Sequence, residues 1–192
     1  HLLYILFIIY HALSSISKEF THYDLHAGNI LLYEPKKGKY IKYVYHLNDT
    51  MITFHCPYIP KIIDYGRSFF DNGNLNSKKI YNKVCDVKEC NPNCGGAKGL
   101  GWLNPTPYIQ ISSYQKNESH DLRVLNILKD STKTIPKKRL NKTGKKTLEL
   151  LNKVVYGVGV KSPNKSYGTV QNLSMNSAKI YNVNSAYKIL KK

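Results

Sequence analysis

The sequence has few acidic residues and almost no arginine. Twelve Asp and Glu residues stand against 29 Lys and Arg residues, of which only Arg67, Arg123 and Arg139 are arginines, and the formal net charge is +17. Such an excess can favour acidic substrates, nucleic acid or anionic surfaces, although a merely solvated basic surface is the commoner cause. The Tyr-rich stretch 40–45 is separate from the Lys-rich segment 129–146. We therefore expect no specific nucleic-acid site.

A long apolar run is also missing. Residues 2–13 are almost continuously apolar, and the polar stretch 14–19 ends the run, whereas a membrane span needs about 20 such residues. No charged segment or cleavage site precedes the run, so we expect neither a membrane span nor a signal peptide. A helix that is apolar all round is typical of a protein core. Because the chain begins with His1, inside this predicted helix, we expect it to be a fragment.

Cysteine is too scarce for the disulfide framework of a secreted protein. The chain has four cysteines in 192 residues, enough length for one buried domain. Cys85, Cys90 and Cys94, with His120 as a fourth ligand, come near the pattern of a zinc site, but their spacings differ from the common C-x₂-C form. Reduced thiols in a cytoplasmic protein are the simpler interpretation.

What the sequence does contain is a polar loop between a predicted helix and a short apolar strand. The loop reads His22-Tyr23-Asp24-Leu25-His26-Ala27-Gly28-Asn29 and is followed by the strand 30–33. It places one carboxylate and one amide oxygen close together. Phosphoryl transfer uses such a pair, a carboxylate for the accepting hydroxyl and a neutral oxygen ligand for Mg²⁺. A second carboxylate, Asp64, ends another apolar run at Asp64-Tyr65-Gly66.

These two segments resemble the protein-kinase-like superfamily. His22-x-Asp24-x-x-x-x-Asn29 resembles the catalytic loop H-R-D-L-x-x-x-N, and Asp64-Tyr65-Gly66 resembles D-F-G. The resemblance implies an α+β, mainly α fold: a kinase-like C-terminal lobe with a catalytic loop, a β-hairpin insertion and an activation-type segment. The N-terminal lobe is expected to lie outside this chain. The extended hairpin and the A/T-rich composition are similar to kinase-like proteins of large DNA viruses, which implies host cytoplasm or a virion.

The resemblance also implies the cofactors ATP and Mg²⁺ and a role for each loop residue. Asp24 would orient the acceptor hydroxyl and take its proton, while Asn29 and Asp64 would hold Mg²⁺ on the ATP phosphates. His22 would anchor the loop by hydrogen bonds. His26 is counted with the catalytic residues because it stands where Ser/Thr kinases carry a phosphate-contacting Lys.

Two further residues are expected to support the site. Gly66 would permit the backbone turn after Asp64. Asp121 would brace the backbone of the catalytic loop from a helix over 118–128, with Ser119 as its N-cap. The alternative for Asp121 is an ordinary acidic residue that complements the helix dipole.

The chain is expected to form one domain over 1–192. Residues 1–130 would be the catalytic core, with a hairpin of Tyr40–Leu47 and Thr50–His55 and an activation-type segment at about 67–108. Residues 131–192 would form a basic helical extension, with helices at 145–156 and Val183–Leu190. The glycines within 95–101 lack the G-x-x-x-x-G-K-[ST] pattern and are expected to be a flexible loop.

The expected function is an ATP- and Mg²⁺-dependent kinase that acts on Ser or Thr of a protein. One alternative is a small-molecule kinase of the aminoglycoside or choline type, because His26 and Gly28 are more typical of that loop. The other is a catalytically silent pseudokinase, or a basic binding scaffold. A Gly-rich turn, a strand Lys and a helix Glu cannot be placed in this chain, so we expect it to need an N-terminal lobe in cis for activity.

Overall fold

A computed structural model describes residues 1–77, 79, 116–135, 140–156 and 178–192. Within these ranges there are four α-helices: α1 Leu2–Ile16, α2 Arg123–Thr132, α3 Lys142–Asn152 and α4 Val183–Leu190. There are six strands: β1 Phe20–Thr21, β2 Ile30–Tyr33, β3 Ile41–Leu47, β4 Thr50–Cys56, β5 Ile59–Ile62 and β6 Phe69–Phe70. Short 3₁₀ turns cover Ala27–Asn29 and His120–Leu122.

Helix α1 lies at the centre of the hydrophobic core. It has no charged residue, and its six buried side chains are Ile5, Leu6, Phe7, Ile9, Tyr10 and Leu13. The helix packs against α4, β4 and β5, which removes its apolar surface from water and stabilises the fold. The predicted buried core helix is therefore present. No helix among the described residues is long and apolar enough to cross a membrane.

Helix α4 is fixed at its first turn. Asn182 accepts a hydrogen bond from the Ser185 backbone N–H, and the Ser185 hydroxyl accepts one from the Asn182 N–H, which is a capping box. The Val183 N–H donates to the carbonyl of Glu118 at 3.0 Å. These bonds satisfy backbone donors that a helix start leaves without partners. They also join α4 to the segment that leads into α2.

The described strands form three separate antiparallel pairs, β1–β6, β2–β5 and β3–β4. The predicted hairpin is present as β3–β4, with Ile41 opposite Cys56 and a turn at Asn48-Asp49. Asn48 has a φ of 51°, a left-handed conformation that Asn tolerates better than most residues. In β2–β5, Ile30 lies opposite Ile62, so the end of the loop of residues 22–29 lies beside the start of the Asp64 turn.

The predicted fold class, a mainly α kinase-like C-lobe, is wrong. The described residues are about 40% helix and 23% strand, and the strands form small antiparallel sheets. The physical reason is that the stretch between the two motifs is rich in Tyr, Ile and Thr, which favour strands. Two short motifs specify local turns, and they do not determine how the rest of the chain is layered.

Several predictions fall outside the described residues. Cys85, Cys90 and Cys94, the Gly-rich stretch 95–101 and most of the activation-type segment belong to this part of the chain, so their predictions remain predictions.

Candidate active site

His22 fixes the loop of residues 22–29 to the turn that contains Asp64. It is fully buried, its Nε2 lies 3.0 Å from the carbonyl oxygen of Ile63, and its Nδ1 accepts the Asp24 backbone N–H at 3.2 Å. This pattern requires a neutral ring with the proton on Nε2. Burial lowers the pKa of His22, while the Ile63 hydrogen bond and the nearby carboxylates act in the opposite direction. His22 therefore holds the loop as a neutral imidazole.

The carboxylate of Asp121 binds the loop backbone from the other side. It accepts the N–H of His22 at 2.8 Å and the N–H of Tyr23 at 3.0 Å. Asp121 thus makes the backbone contact that was predicted from the sequence. Burial raises the pKa of Asp121 to about 7, although the two N–H donors act to lower it. The Tyr10 hydroxyl donates to the Asp121 carbonyl at 2.7 Å, so α1 fixes the position of this residue.

Tyr23 has a strained backbone conformation that its hydrogen bond to Asp121 stabilises. Its φ is 66°, in the left-handed region where a bulky side chain is strained by about 1–3 kcal/mol. Its side chain is fully buried, and its ring lies 4.9 Å from the ring of His120. The hydrogen bond to Asp121 and this packing hold the backbone of the loop in a shape that the free chain would rarely adopt.

Asp24 lies beside two guanidinium groups and one imidazole ring. Its Oδ1 accepts a hydrogen bond from Arg123 Nη1 at 2.7 Å and lies 3.7 Å from His26 Nε2, and its Oδ2 lies 3.5 Å from Arg67 Nη1. The Asp24 side chain is only 14% exposed. Neither arginine was assigned a role from the sequence. The available signal was that arginine is so rare in a chain otherwise rich in lysine.

Asn29 lies in contact with Asp24. Its amide nitrogen donates to the Asp24 carbonyl at 2.9 Å, and its side chain is largely buried. The amide oxygen is thus the atom that remains for a ligand. The backbone carbonyl of Asn29 accepts the N–H of Ile63 at 3.0 Å.

Asp64 lies next to the loop because of Ile63. Both backbone groups of Ile63 bind the loop, its N–H to Asn29 and its carbonyl to His22. Asp64 follows directly, is exposed to solvent and has a φ of 62°. A left-handed residue at this point reverses the chain locally, and Asp adopts that conformation more readily than most residues. The structure thus joins the Asp24–Asn29 loop to the turn that carries Asp64.

The role expected for Gly66 is not supported. The described glycines with positive φ are Gly38 and Gly73, and at Gly66 an added Cβ would meet only the Asp64 Oδ1, at 3.5 Å. The left-handed residue of this turn is Asp64 itself, so the conformational freedom of glycine is not needed at position 66.

Gly28, in contrast, has a clear steric role. Its N–H donates to His26 Nδ1 at 3.1 Å, and an added Cβ would lie 2.9 Å from the His26 Cε1. The His26 ring folds back over the 3₁₀ turn in the space that a side chain at position 28 would occupy. This contact also brings the other ring nitrogen towards Asp24.

The oxygen ligands of the site suit a hard cation. Among the described residues no group of three or more His, Cys, Asp and Glu side chains is arranged to hold a metal ion. Mg²⁺ does not require such a cage, because it is usually bound by one or two carboxylates together with waters and substrate phosphates. Asp64 and Asn29 offer a carboxylate and an amide oxygen, so these residues fit that cation.

His120, the expected fourth zinc ligand, is fully buried beside Tyr23 and Tyr156. Neither ring nitrogen has a hydrogen-bond partner in the described part of the chain. Burial lowers the pKa of His120 to about 3, and the charge of Arg123 acts in the same direction. His120 is thus a neutral core residue under the loop.

No family model, no curated protein and no solved structure matches this chain.

Proposed function

We propose that this chain carries the catalytic loop of an ATP- and Mg²⁺-dependent phosphotransferase whose acceptor is a Ser or Thr hydroxyl of a protein. The observation that supports the proposal is the way Ile63 joins two turns. One turn holds Asp24 and Asn29, and the other holds Asp64. The proposal depends on this local arrangement and on no fold class.

Asp24 is the proposed base. The acceptor oxygen forms a bond to the γ-phosphorus while the bond from that phosphorus to the ADP oxygen breaks, and the hydroxyl proton passes to Asp24. Oδ1 accepts the 2.7 Å hydrogen bond of Arg123, whereas Arg67 lies farther away, 3.5 Å from Oδ2, so Oδ2 is the oxygen proposed for the acceptor hydroxyl. His22 and Asp121 hold the backbone on both sides, which fixes the direction of the carboxylate.

Asn29 and Asp64 are the proposed Mg²⁺ ligands. When bound, Mg²⁺ would neutralise charge on the nucleotide phosphates. The Asn29 side chain is held by its bond to the Asp24 carbonyl, so its oxygen and the base keep a fixed relation. Asp64 is exposed, as a residue that meets a nucleotide must be.

One observation favours a second candidate, a catalytically silent binding scaffold. Asp24 already has a close partner in Arg123, and such a pair can be purely structural. The two candidates differ in whether the carboxylate of Asp24 is needed for chemistry or only for stability.

The test is phosphotransfer from radiolabelled ATP by the complete polypeptide that contains these residues. The acceptors are a panel of Ser- and Thr-containing proteins and a panel of small aminoglycoside and choline-type alcohols. Asp24→Asn and Asp64→Asn should abolish transfer, and Asp49→Asn is the matched control because it lies in the exposed hairpin turn. Labelling only of small alcohols would replace the protein acceptor, and no labelling of either panel would favour the scaffold.

A further inference from the structure

The strongest unexplained contact in the site is the ion pair between Arg123 and Asp24. Arg123 Nη1 lies 2.7 Å from Asp24 Oδ1, and the side chains are only 24% and 14% exposed. Charge-assisted hydrogen bonds at this distance are about twice as strong as neutral ones. Exposed ion pairs are usually worth little, but this pair is shielded from water over most of its surface. Its geometry should therefore be well defined.

The overall composition of the chain, in which lysine is the usual cation, does not explain the arginine at position 123. Lysine supplies almost all of the positive charge, yet Arg123 and Arg67 both lie within 3.5 Å of the same carboxylate. A guanidinium is a planar fork that fixes the direction of its partner, whereas an ammonium is a point charge with free rotation. A site that needs a carboxylate in one orientation therefore gains from arginine.

The backbone around Arg123 is itself rigid. Leu122 and Val124 on either side are buried, and Asp121, two residues earlier, holds the N–H groups of His22 and Tyr23. One short segment thus fixes both the backbone of the catalytic loop and the side chain at its centre. Relative movement of the segment and the loop would break all of these hydrogen bonds together.

We infer that Arg123 is the positioning residue of Asp24, holding Oδ1 so that Oδ2 faces the acceptor hydroxyl. The inference rests on the proposed function. The groups that face the Asp24 carboxylate are Arg123, Arg67 and His26, and Arg123 lies closest, at 2.7 Å against 3.5 Å for Arg67 and 3.7 Å for His26. Without Arg123 the carboxylate can rotate, and misplacement of a reacting group by about 1 Å can cost about a hundredfold in rate.

The experiment compares Arg123→Ala, Arg123→Lys and a matched control in the complete polypeptide. Lys133→Ala is the control, because it removes a positive charge from an exposed pair with Asp130 at the other end of α2. Arg123→Ala should lower kcat by about ten- to a hundredfold with an unchanged KM for ATP, and Arg123→Lys should recover part of the loss. Added guanidinium, but not methylammonium at the same ionic strength, should also restore part of kcat in Arg123→Ala. An unchanged kcat in Arg123→Ala would overturn the inference.

A double-mutant comparison separates this inference from the proposed function. If Arg123 acts through Asp24, Arg123→Ala should cause no further loss of kcat in the Asp24→Asn background. If the wild-type protein transfers no phosphate to any acceptor, the proposed function fails, and the Tm values of the two single variants and the double variant decide the pairing. If the Tm shift of the double variant differs from the sum of the two single shifts, the two side chains are paired. If the Tm shifts are fully additive, the pairing is overturned.

Discussion

Tyr10→Phe tests the connection between the core and the loop of residues 22–29. The Tyr10 side chain is fully buried, and its hydroxyl donates to the Asp121 carbonyl at 2.7 Å. The substitution keeps the ring and its apolar contacts, so the loss is one buried hydrogen bond and the pairing of one carbonyl. Such losses cost about 1–2 kcal/mol in the free energy of unfolding. For a chain of this size we expect Tm to fall by about 2–8 °C.

The pH dependence of this effect has a definite sign. Burial raises the pKa of Tyr10 well above its ordinary value of 10.0, so the folded protein keeps the proton at pH values where the unfolded chain loses it. Tyr10 should therefore make the wild-type protein lose stability as the pH rises past about 10, by about 1.4 kcal/mol per unit, and Tyr10→Phe lacks this contribution while it keeps that of Tyr43 and Tyr45, whose pKa values are also raised. The difference between the two proteins should be constant from about pH 5 to 9 and shrink at higher pH.

The assay is urea denaturation followed by circular dichroism over this pH range. Tyr33→Phe is the matched control, because Tyr33 is 51% exposed and the change removes a hydroxyl at the surface. A Tyr10→Phe protein as stable as the Tyr33→Phe protein would refute the argument. The hydrogen bond would then contribute nothing to the position of Asp121.

Three other predictions concern the site directly. Asp64→Asn should abolish nucleotide turnover. It should leave Tm within about 2 °C of the wild type, because Asp64 is exposed and Asn tolerates its φ of 62°. Normal turnover in this variant would show that Asp64 is not a ligand of the proposed metal site. Gly28→Ala should displace the His26 ring, which a Cβ would approach to 2.9 Å, and should lower the free energy of unfolding by less than about 1 kcal/mol because the ring is partly exposed. An unchanged kcat in Gly28→Ala and in His26→Ala would exclude His26 from catalysis. His120→Phe should gain stability relative to the wild type as the pH falls from 6.5 towards 3, by up to about 1.4 kcal/mol per unit, because the pKa of the buried ring is lowered to about 3 and only the unfolded chain takes up the proton. His46→Phe, which changes an exposed histidine, is the control, and an equal gain in this variant would contradict the prediction.

Local patterns predicted the local elements well. The apolar run 2–13 gave α1, which the structure extends to Ile16, and alternation around Asn48-Asp49 gave the β3–β4 hairpin with its turn in the right place. The predicted final helix coincides with α4. These elements form from contacts between residues that are near in sequence, so periodicity and turn chemistry contain the necessary information.

Helix boundaries were less predictable where a distant segment competes for the same groups. Ser119 was expected to cap a helix, but its hydroxyl donates to the Tyr181 carbonyl at 2.7 Å, and α2 begins only at Arg123. The helix expected over 145–156 begins at Lys142 and ends at Asn152, because Val154 forms a bridge with Ile180. In each case a contact over many residues replaces the local one, and a single sequence contains no signal for it.

There is a physical reason why the contacts of the loop do not determine the fold class. The loop is held by five backbone groups: the N–H groups of residues 22, 23 and 24 and both backbone groups of Ile63. Their partners are the Asp121 carboxylate, the Asn29 carbonyl and the His22 ring, and any layering of helices and strands that brings these residues together would give the same loop. The sequence motifs indicate only that these residues meet, and they do not indicate how the helices and strands are layered. The pair of Arg123 and Asp24 adds a contact between two side chains 99 residues apart, the same separation as between Asp121 and the His22 N–H, so both contacts need the same tertiary arrangement. Variants of Asp121 should therefore disturb the backbone of the loop, whereas variants of Arg123 should disturb the orientation of the Asp24 side chain.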